Sequence, residues 1–182
     1  MSFVTSDHEE FRNAVRRFTE EEIVPIASEL DAKNAEIPME IIAKMAEQGY
    51  FGVLFPEEYD GLGLDNITMT IVAEELSKGW LSVGSVMTRG VIMGTLLQAH
   101  GTEEQKKKYL PGLATGTILP AAAFTEPDSG SDSASMIMKA TKTEGGYLLN
   151  GAKAWCTYAN RANVLMVLAR TNPDASIRHK GL

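Results

Sequence analysis

The feature that most constrains the fold is a change of hydrophobic period close to Gly116. Before Gly116, apolar residues recur every three or four positions, as in helices with one buried face. After it, apolar and polar residues alternate, as from Met136 to Thr141, which predicts strands. Helices segregated from strands in this way indicate two structural units rather than β-α-β winding. We therefore predict an α+β multi-domain chain, with a helical domain at residues 1–116 and a β domain at residues 117–182.

Capping residues mark the predicted helix ends. A helix often begins at a Ser or Thr that is followed three residues later by Glu or Gln, and the first half contains such pairs. They are Ser6 with Glu9 and Thr102 with Gln105. Another helix is expected between Pro38 and Gly49, because proline suits the first helical turn and glycine the position after the last.

Two prolines and one apolar run add further expectations for the helical half. Pro25 interrupts the pattern of the first helix, and the helix that begins near Thr102 is expected to stop before Pro111. The run from Val83 to Ala99 is apolar almost all round. Such a pattern predicts a helix that is buried on every side.

The second half is predicted to contain four or five short strands. They cover residues 118–125, 136–141, 147–150, 155–157 and 164–170, with a hairpin turn at residues 144–146. So few strands with exposed edges make a poor independent unit, and the β domain therefore looks incomplete.

Charge and composition exclude several classes of function. The net charge is −7 without a basic stripe, which argues against a general nucleic-acid binder, and residues 106–108 are interpreted as a solvated lysine face. Cys156 is the single cysteine and the three histidines are far apart, so we expect no disulfide framework and no metal site. We see neither a signal peptide nor a membrane span, and a reducing, cytoplasmic setting fits these observations.

A polar loop follows the first predicted strand. Residues 121–132 read AAAFTEPDSGSD, a small apolar run that gives way to hydroxyls and glycine. Hydroxyls and free backbone N–H groups suit the binding of a phosphate or the edge of a flavin. An ordinary loop between two strands is the alternative. A second stretch, Lys153 to Thr157, favours the first interpretation.

These two stretches resemble motifs of the acyl-CoA dehydrogenase family. The sharpest matches are FTEPDSGSD at residues 124–132 and WCT at residues 155–157, supported by FPEEYDGLG at 55–63 and GTEEQKKKYLP at 101–111. The resemblance covers essentially the whole chain. It implies a helical N-terminal domain, a middle domain that resembles an antiparallel β-barrel, and a C-terminal four-helix bundle. This chain then holds the first domain and part of the second, and the bundle is absent from it.

The resemblance also implies FAD as cofactor, with residues of both motifs lining the flavin. They are Phe124, Thr125, Gly130, Ser131, Trp155, Cys156 and Thr157. Thr125 is expected to hydrogen-bond the pyrimidine side of the ring, and Thr157 to lie near flavin N5. Trp155 is expected to pack beside the ring, because a flavin needs an apolar wall as well as hydrogen-bond donors.

Other positions concern the phosphates, the substrate and the shape of the pocket. The backbone of Gly130 and the side chain of Ser131 are expected to face the diphosphate or the pantetheine of the substrate. Phe124 and Cys156 depart from the family pattern, since a smaller aliphatic residue and isoleucine or a relative are common there. Both departures affect the fine shape of the predicted flavin pocket.

The family removes two hydrogens across the Cα–Cβ bond of an acyl-CoA thioester and forms a 2-enoyl-CoA. A carboxylate takes the α proton, and in the family it belongs to the C-terminal bundle. Glu126, Asp128 and Asp132 are interpreted as residues that cap the loop, so we assign no catalytic base. The 182-residue chain alone is therefore expected to be an incompetent dehydrogenase. The resemblance further implies an electron-transfer flavoprotein as acceptor and a homotetramer at full length.

Alternative functions keep the same fold. Acyl-CoA oxidases and flavin-dependent monooxygenases share this architecture, and a non-catalytic flavin- or CoA-binding module is also consistent with the sequence. Arg89 is the further candidate for substrate binding, because an arginine in the apolar helix needs an anionic partner. That partner is either Glu74 or Glu75, or a second carboxylate on the substrate, as in a substituted succinyl-CoA.

Overall fold

A computed structural model of the chain describes residues 3–182, except for the side chain of Ala175. Contacts divide it into a helical unit that ends at Leu119 and a second unit from Pro120 to Leu182. Helices make up the first unit and short strands lie in the second. The predicted order of a helical domain followed by a partial β domain is therefore confirmed.

Six α-helices form the described part of the helical unit. They are α1 (Ser6–Phe18), α2 (Val24–Ala32), α3 (Met39–Glu47), α4 (Asn66–Gly79), α5 (Leu81–His100) and α6 (Glu103–Ala114). A π-helical segment, Thr19–Ile23, joins α1 to α2. The chain thus stays helical up to and beyond Pro25, which lies in the first turn of α2. The interruption expected at Pro25 takes the form of the π-helical segment directly before it.

Side-chain caps start the helices close to the predicted positions. The capping box of Thr102 and Gln105 is present at α6. At α1 the box lies one residue before the predicted pair, because Thr5 is the N-cap and His8 replaces the expected Glu. The Thr5 N–H donates to His8 Nδ1 over 3.0 Å, so an imidazole nitrogen accepts the bond that a carboxylate usually takes.

The two predicted helix ends have different outcomes. Gly49 follows α3 with a φ of 73°, a left-handed conformation that favours glycine, as predicted. Pro111 does not end α6, which continues to Ala114. Leu110 and Leu113 are buried on either side of the proline. We attribute the continuation to this burial, which offsets the backbone hydrogen bond that proline cannot make.

Helix α5 has one buried face and one exposed face. Val83, Met87 and Met93 lie on the buried side, whereas Ile92 and Leu96 are 38% and 44% exposed. The expectation of burial on every side is therefore wrong, because apolar side chains on the outer face are not covered within the described chain. Apolar composition all round does not reveal which face the neighbouring helices cover.

A cluster of ion pairs joins α1 to α4 around Glu75, which is 1% exposed. Glu75 Oε1 lies 2.9 Å from Arg12 Nη1 and 2.9 Å from Lys78 Nζ, and Oε2 lies 3.1 Å from Arg16 Nε. The hydrogen bond from Arg16, with those from Lys78 and Arg12, outweighs burial and lowers the pKa of Glu75 to about 2. The carboxylate therefore stays ionised inside the helical unit.

The second unit contains two separate two-stranded sheets. Its strands are β1 (Pro120–Ala123), β2 (Lys139–Thr143), β3 (Gly146–Asn150) and β4 (Val164–Val167). β2 and β3 form the predicted antiparallel hairpin, but β1 and β4 pair in parallel. A parallel pair is possible because the long connection between them contains the hairpin. The sheets do not close, so the barrel expected from the resemblance is not found in residues 120–182.

Three of the predicted strands are longer than the observed ones, and β2 is also shifted towards the C-terminus relative to its predicted segment. β1 and β4 are four-residue cores of the predicted segments 118–125 and 164–170. β2 begins after the buried side chains of Met136 and Met138. The N–H groups of Ile137 and Met138 bond a carboxylate rather than a neighbouring strand, which is why the alternating segment begins outside the sheet.

Candidate functional site

Backbone and side-chain hydrogen bonds bring the two sequence motifs together in the second unit. The Ala154 N–H donates to the Thr125 carbonyl over 2.9 Å, and Lys153 Nζ donates to the Phe124 carbonyl over 2.9 Å. The Leu168 N–H, just beyond β4, donates to the Ala123 carbonyl over 3.2 Å. Residues 29 and 45 positions apart in sequence are thus brought side by side and form one surface.

Glu126 is the buried anchor of this surface and is 4% exposed. Its oxygens accept the N–H groups of Ile137 at 2.8 Å and Met138 at 2.9 Å, and Lys153 Nζ lies 3.0 Å from Oε1. Burial alone raises the pKa of Glu126, but these three hydrogen bonds together lower it below the ordinary value. Glu126 therefore bonds the backbone, the role that the sequence favoured over catalysis.

Lys153 has a structural role that the sequence analysis missed. Its side chain is 6% exposed and joins the Phe124 carbonyl to the Glu126 carboxylate. A lysine directly before an alanine and a tryptophan gave no periodic signal for burial. Its position next to the WCT motif is the one feature that could have marked it.

Residues 155–157 form a turn instead of the predicted strand. Trp155 has a φ of 56°, which is incompatible with an extended strand, and the Thr157 N–H donates back to the Trp155 carbonyl over 2.9 Å. Trp155 is 88% exposed. The Cys156 thiol contacts the Ala154 carbonyl at 3.7 Å and is half-buried. The turn therefore presents the indole on the surface, beside the segment that bonds Thr125.

The seven predicted flavin residues all lie in this second unit and differ in exposure. The half-buried ones are Phe124, Thr125 and Cys156, and the exposed ones are Gly130, Ser131, Trp155 and Thr157. A Cβ built on Gly130 meets no atom within 4 Å, so its backbone is open to an approaching group. Within residues 3–182, the hydroxyls of Thr125, Ser131 and Thr157 make no hydrogen bond, whereas Ser129 donates to the Asp132 carbonyl over 2.7 Å.

Arg89 lies in the helical unit, half-buried on α5. Its Nη2 donates to Ser85 Oγ over 2.8 Å, and its Nε is buried without a hydrogen-bond partner. Within the described chain no carboxylate pairs with it, and Glu74 and Glu75 pair with Arg12 and Lys78 instead. The expected pairing of Arg89 with Glu74 or Glu75 is therefore wrong.

The described residues contain neither a metal-binding cluster nor a helix suited to a membrane. No group of three or more His, Cys, Asp or Glu side chains among them is arranged to hold a metal ion. None of their helices is both long and apolar enough to cross a bilayer.

Family models match both units of the chain. The model of the acyl-CoA dehydrogenase N-terminal domain matches residues 5–117, and that of the middle domain matches residues 121–182. The chain is 44% identical over 168 residues to (2S)-methylsuccinyl-CoA dehydrogenase of Cereibacter sphaeroides, a match that covers 92% of this chain and 31% of that protein.

Solved structures agree with this result. The structure of glutaryl-coenzyme A dehydrogenase in complex with glutaryl-CoA matches with a TM-score of 0.91 and 33% identity, over 100% of this chain and 46% of that one. Glutaryl-CoA dehydrogenase from Mycobacterium smegmatis in complex with FADH2 matches with a TM-score of 0.86 and 28% identity, over 92% and 43% of the two chains. The chain thus spans less than half the length of these proteins. It belongs to the acyl-CoA dehydrogenase family.

Proposed function

We propose that this chain binds FAD and frames an acyl-CoA thioester for α,β-dehydrogenation to a 2-enoyl-CoA. One observation carries the proposal. The two motifs are joined through Thr125 and Ala154, and the hydroxyls and indole beside that joint have no protein partner in residues 3–182. Family membership and the flavin named in the Mycobacterium smegmatis complex support it. We further propose that the two units correspond to the domains predicted at residues 1–116 and 117–182.

The donor set fits a flavin. A flavin ring needs hydrogen-bond donors at its edge and an apolar surface against its face. The Thr125 and Thr157 hydroxyls supply such donors, and the exposed indole of Trp155 supplies the surface. Phe124 and Cys156 flank Thr125 and Trp155 and are proposed to shape the remaining wall. The open backbone of Gly130 and the hydroxyl of Ser131 are proposed to hold the diphosphate or the pantetheine.

Bound FAD would supply a hydride acceptor for the substrate β carbon. The α proton must leave to a base within hydrogen-bond reach, and no described carboxylate of the second unit is proposed for that role. Glu126 is committed to Ile137, Met138 and Lys153, so it cannot reach a substrate without breaking these bonds. We therefore propose that the 182-residue chain alone binds its ligands but does not turn over.

A flavin titration tests the cofactor proposal. Thr125→Val removes the hydroxyl and keeps the shape of the side chain, so we expect FAD affinity to fall about fivefold, the value of one hydrogen bond. Thr141→Val, at an exposed position of β2, is the matched control and should leave the affinity unchanged. Flavin absorbance and fluorescence give the dissociation constants. Equal affinities for both variants and the parent chain would contradict the assignment of Thr125.

Arg89 is proposed to bind a second carboxylate on the substrate, as in a substituted succinyl-CoA. The support is the buried Nε without a partner and the absence of a paired carboxylate within residues 3–182. The name of the Cereibacter sphaeroides relative fits this substrate class. We expect Arg89→Gln to weaken the binding of methylsuccinyl-CoA about tenfold and to leave butyryl-CoA unaffected. Lys107→Gln, an exposed lysine of α6, controls for the lost charge, and unchanged selectivity in Arg89→Gln would exclude the role.

Reduction by substrate separates the remaining alternatives. Stopped-flow mixing with an acyl-CoA should leave the flavin of this chain oxidised, and bleaching at a normal enzymatic rate would contradict the missing base. In an active full-length protein, rapid reoxidation by oxygen would indicate an oxidase or monooxygenase rather than a dehydrogenase. A dehydrogenase would pass its electrons to an electron-transfer flavoprotein, and from the family resemblance we propose that acceptor and a homotetramer. We propose a cytoplasmic setting because the single cysteine fits a reducing compartment.

A further inference from the structure

We propose that a cavity in the second unit binds a phosphate group of the CoA moiety. The cavity has a volume of about 360 Å³ and is lined by three cationic side chains, Lys139, Arg170 and Arg178, together with apolar residues and Ser135. None of the seven predicted flavin residues lines it. The inference rests on the proposed function, because it assumes that a CoA thioester is the substrate.

Arg170 places a buried positive charge at this cavity. It is 8% exposed, and its N–H groups donate to the carbonyls of Ala134 at 2.6 Å, Arg178 at 3.2 Å and Met136 at 3.3 Å. Within residues 3–182 no carboxylate pairs with Arg170. The backbone carbonyls satisfy its N–H donors but do not neutralise the positive charge of the guanidinium. A buried, unneutralised guanidinium creates a positive potential that favours an anion in the adjoining space.

Arg178 and Lys139 provide the groups that could contact such an anion directly. Arg178 Nη2 lies 3.1 Å from Asp132 Oδ1, and both side chains are about 60% exposed, so solvent weakens this pair. Lys139 is exposed at the start of β2 and has no ion pair within the described chain. Among the described residues, Asp132 is the one carboxylate paired with a lining cation, and the cavity lining contains no acid. The lining therefore carries a net positive charge.

A phosphate is the ligand that this chemistry favours. Guanidinium and ammonium groups recognise phosphate oxygens through charge-assisted hydrogen bonds. A ligand with two negative charges balances three cations better than a carboxylate with one negative charge does. CoA carries two sources of this chemistry, a 3′-phosphate and a diphosphate. The cavity also lies next to the loop of residues 126–132, to which Arg178 is joined through Asp132.

The test compares two lysines of one strand. Lys139 and Lys142 are both exposed on β2, but an odd spacing places them on opposite faces, and only Lys139 lines the cavity. The Lys139→Gln and Lys142→Gln variants are titrated calorimetrically with CoA, 3′-dephospho-CoA and pantetheine, and with FAD in parallel. We expect Lys139→Gln to weaken CoA binding about fivefold and Lys142→Gln to have no effect. Pantetheine and FAD affinities should not change in either variant.

The outcomes separate the two phosphate sources and the two proposals. Weakening for CoA but not for 3′-dephospho-CoA supports the 3′-phosphate, and weakening for both but not for pantetheine supports the diphosphate. Equal effects of Lys139→Gln and Lys142→Gln, or equal weakening for pantetheine, would overturn the phosphate site. If FAD and pantetheine still bind in that case, the proposed function stands. If neither FAD nor any CoA compound binds the parent chain, the proposed function fails and this inference fails with it.

Discussion

Two buried carboxylates, one in each unit, are stabilised in different ways. Glu75 is surrounded by three cationic side chains, whereas Glu126 accepts two backbone N–H groups and one bond from a lysine. Side-chain ion pairs join whole helices, while bonds to backbone amides fix the path of the chain itself. We infer that Glu75 chiefly stabilises the fold of the helical unit and that Glu126 chiefly stabilises the shape of the candidate site.

The largest effect on stability is expected from Glu75→Ala. It leaves Arg12, Arg16 and Lys78 close together without the buried anion, and breaking such a network costs about 3–5 kcal/mol. Urea unfolding at neutral pH measures the loss. The neighbouring Glu74 is 46% exposed, so Glu74→Ala should cost less than about 1 kcal/mol. Similar losses for both variants would contradict the central role of Glu75.

Glu126→Gln is expected to cost less stability and more function. An amide cannot accept both N–H groups with its oxygen and also pair with Lys153, so we expect a loss of about 2 kcal/mol. FAD affinity should fall more in this variant than in Glu75→Ala, because the displaced segment supports the candidate flavin surface. Asp128→Asn, at an exposed position of the same loop, is the control. Unchanged FAD affinity in Glu126→Gln would show that the anchor does not shape the site.

Acid titration distinguishes the two carboxylates further. The pKa of Glu75 falls from an ordinary 4.5 to about 2 in the fold. A lowered folded pKa gives stability that is complete above pH 4.5 and is lost as the pH falls towards 2. The pKa of Glu126 is lowered too, so it acts in the same direction. Urea midpoints between roughly pH 2 and 6 should depend less on pH in Glu75→Gln than in Glu126→Gln. A weaker pH dependence in Glu126→Gln than in Glu75→Gln would mean that Glu126 contributes more than Glu75 to the acid sensitivity of the fold.

An exposed carboxylate should give the smallest effect. Asp65 caps α4, accepts the Thr68 N–H at 2.8 Å and lies 3.2 Å from His8 Nε2. Asp65→Asn keeps an oxygen for the cap and should barely move the urea midpoint, whereas Asp65→Ala should lower it slightly. A larger fall than in Glu126→Gln would mean that helix capping outweighs buried amide bonding in this chain.

Local chemistry made several helix ends predictable from the sequence. The capping box of Thr102 with Gln105 and the left-handed Gly49 depend on residues within one turn, so their patterns act regardless of the remaining chain. Pro111 failed as a stop signal because burial of Leu110 and Leu113 is a tertiary effect. The same reason explains α5, since its composition could not show which face is covered.

The candidate site depends on contacts between distant residues, and its geometry was therefore less predictable. The motifs identified Thr125 and Trp155 as neighbours only through the family resemblance. The bonds from Lys153 to Phe124 and Glu126 span more than twenty-five positions and leave no periodic trace in the sequence. The left-handed backbone of Trp155 is also hidden, because tryptophan rarely adopts a positive φ. Parallel pairing of β1 with β4 likewise depends on the long crossover between them.

The two tryptophans provide a built-in optical reporter for each unit. Trp80 is 6% exposed and donates from Nε1 to Asp31 over 2.9 Å, whereas Trp155 is 88% exposed in the other unit. Iodide should therefore quench the fluorescence of Trp155 strongly and that of Trp80 only weakly. A Trp80→Phe chain would then have a single emitter, located at the candidate cofactor surface. Its emission could follow ligand occupancy directly, without any attached label.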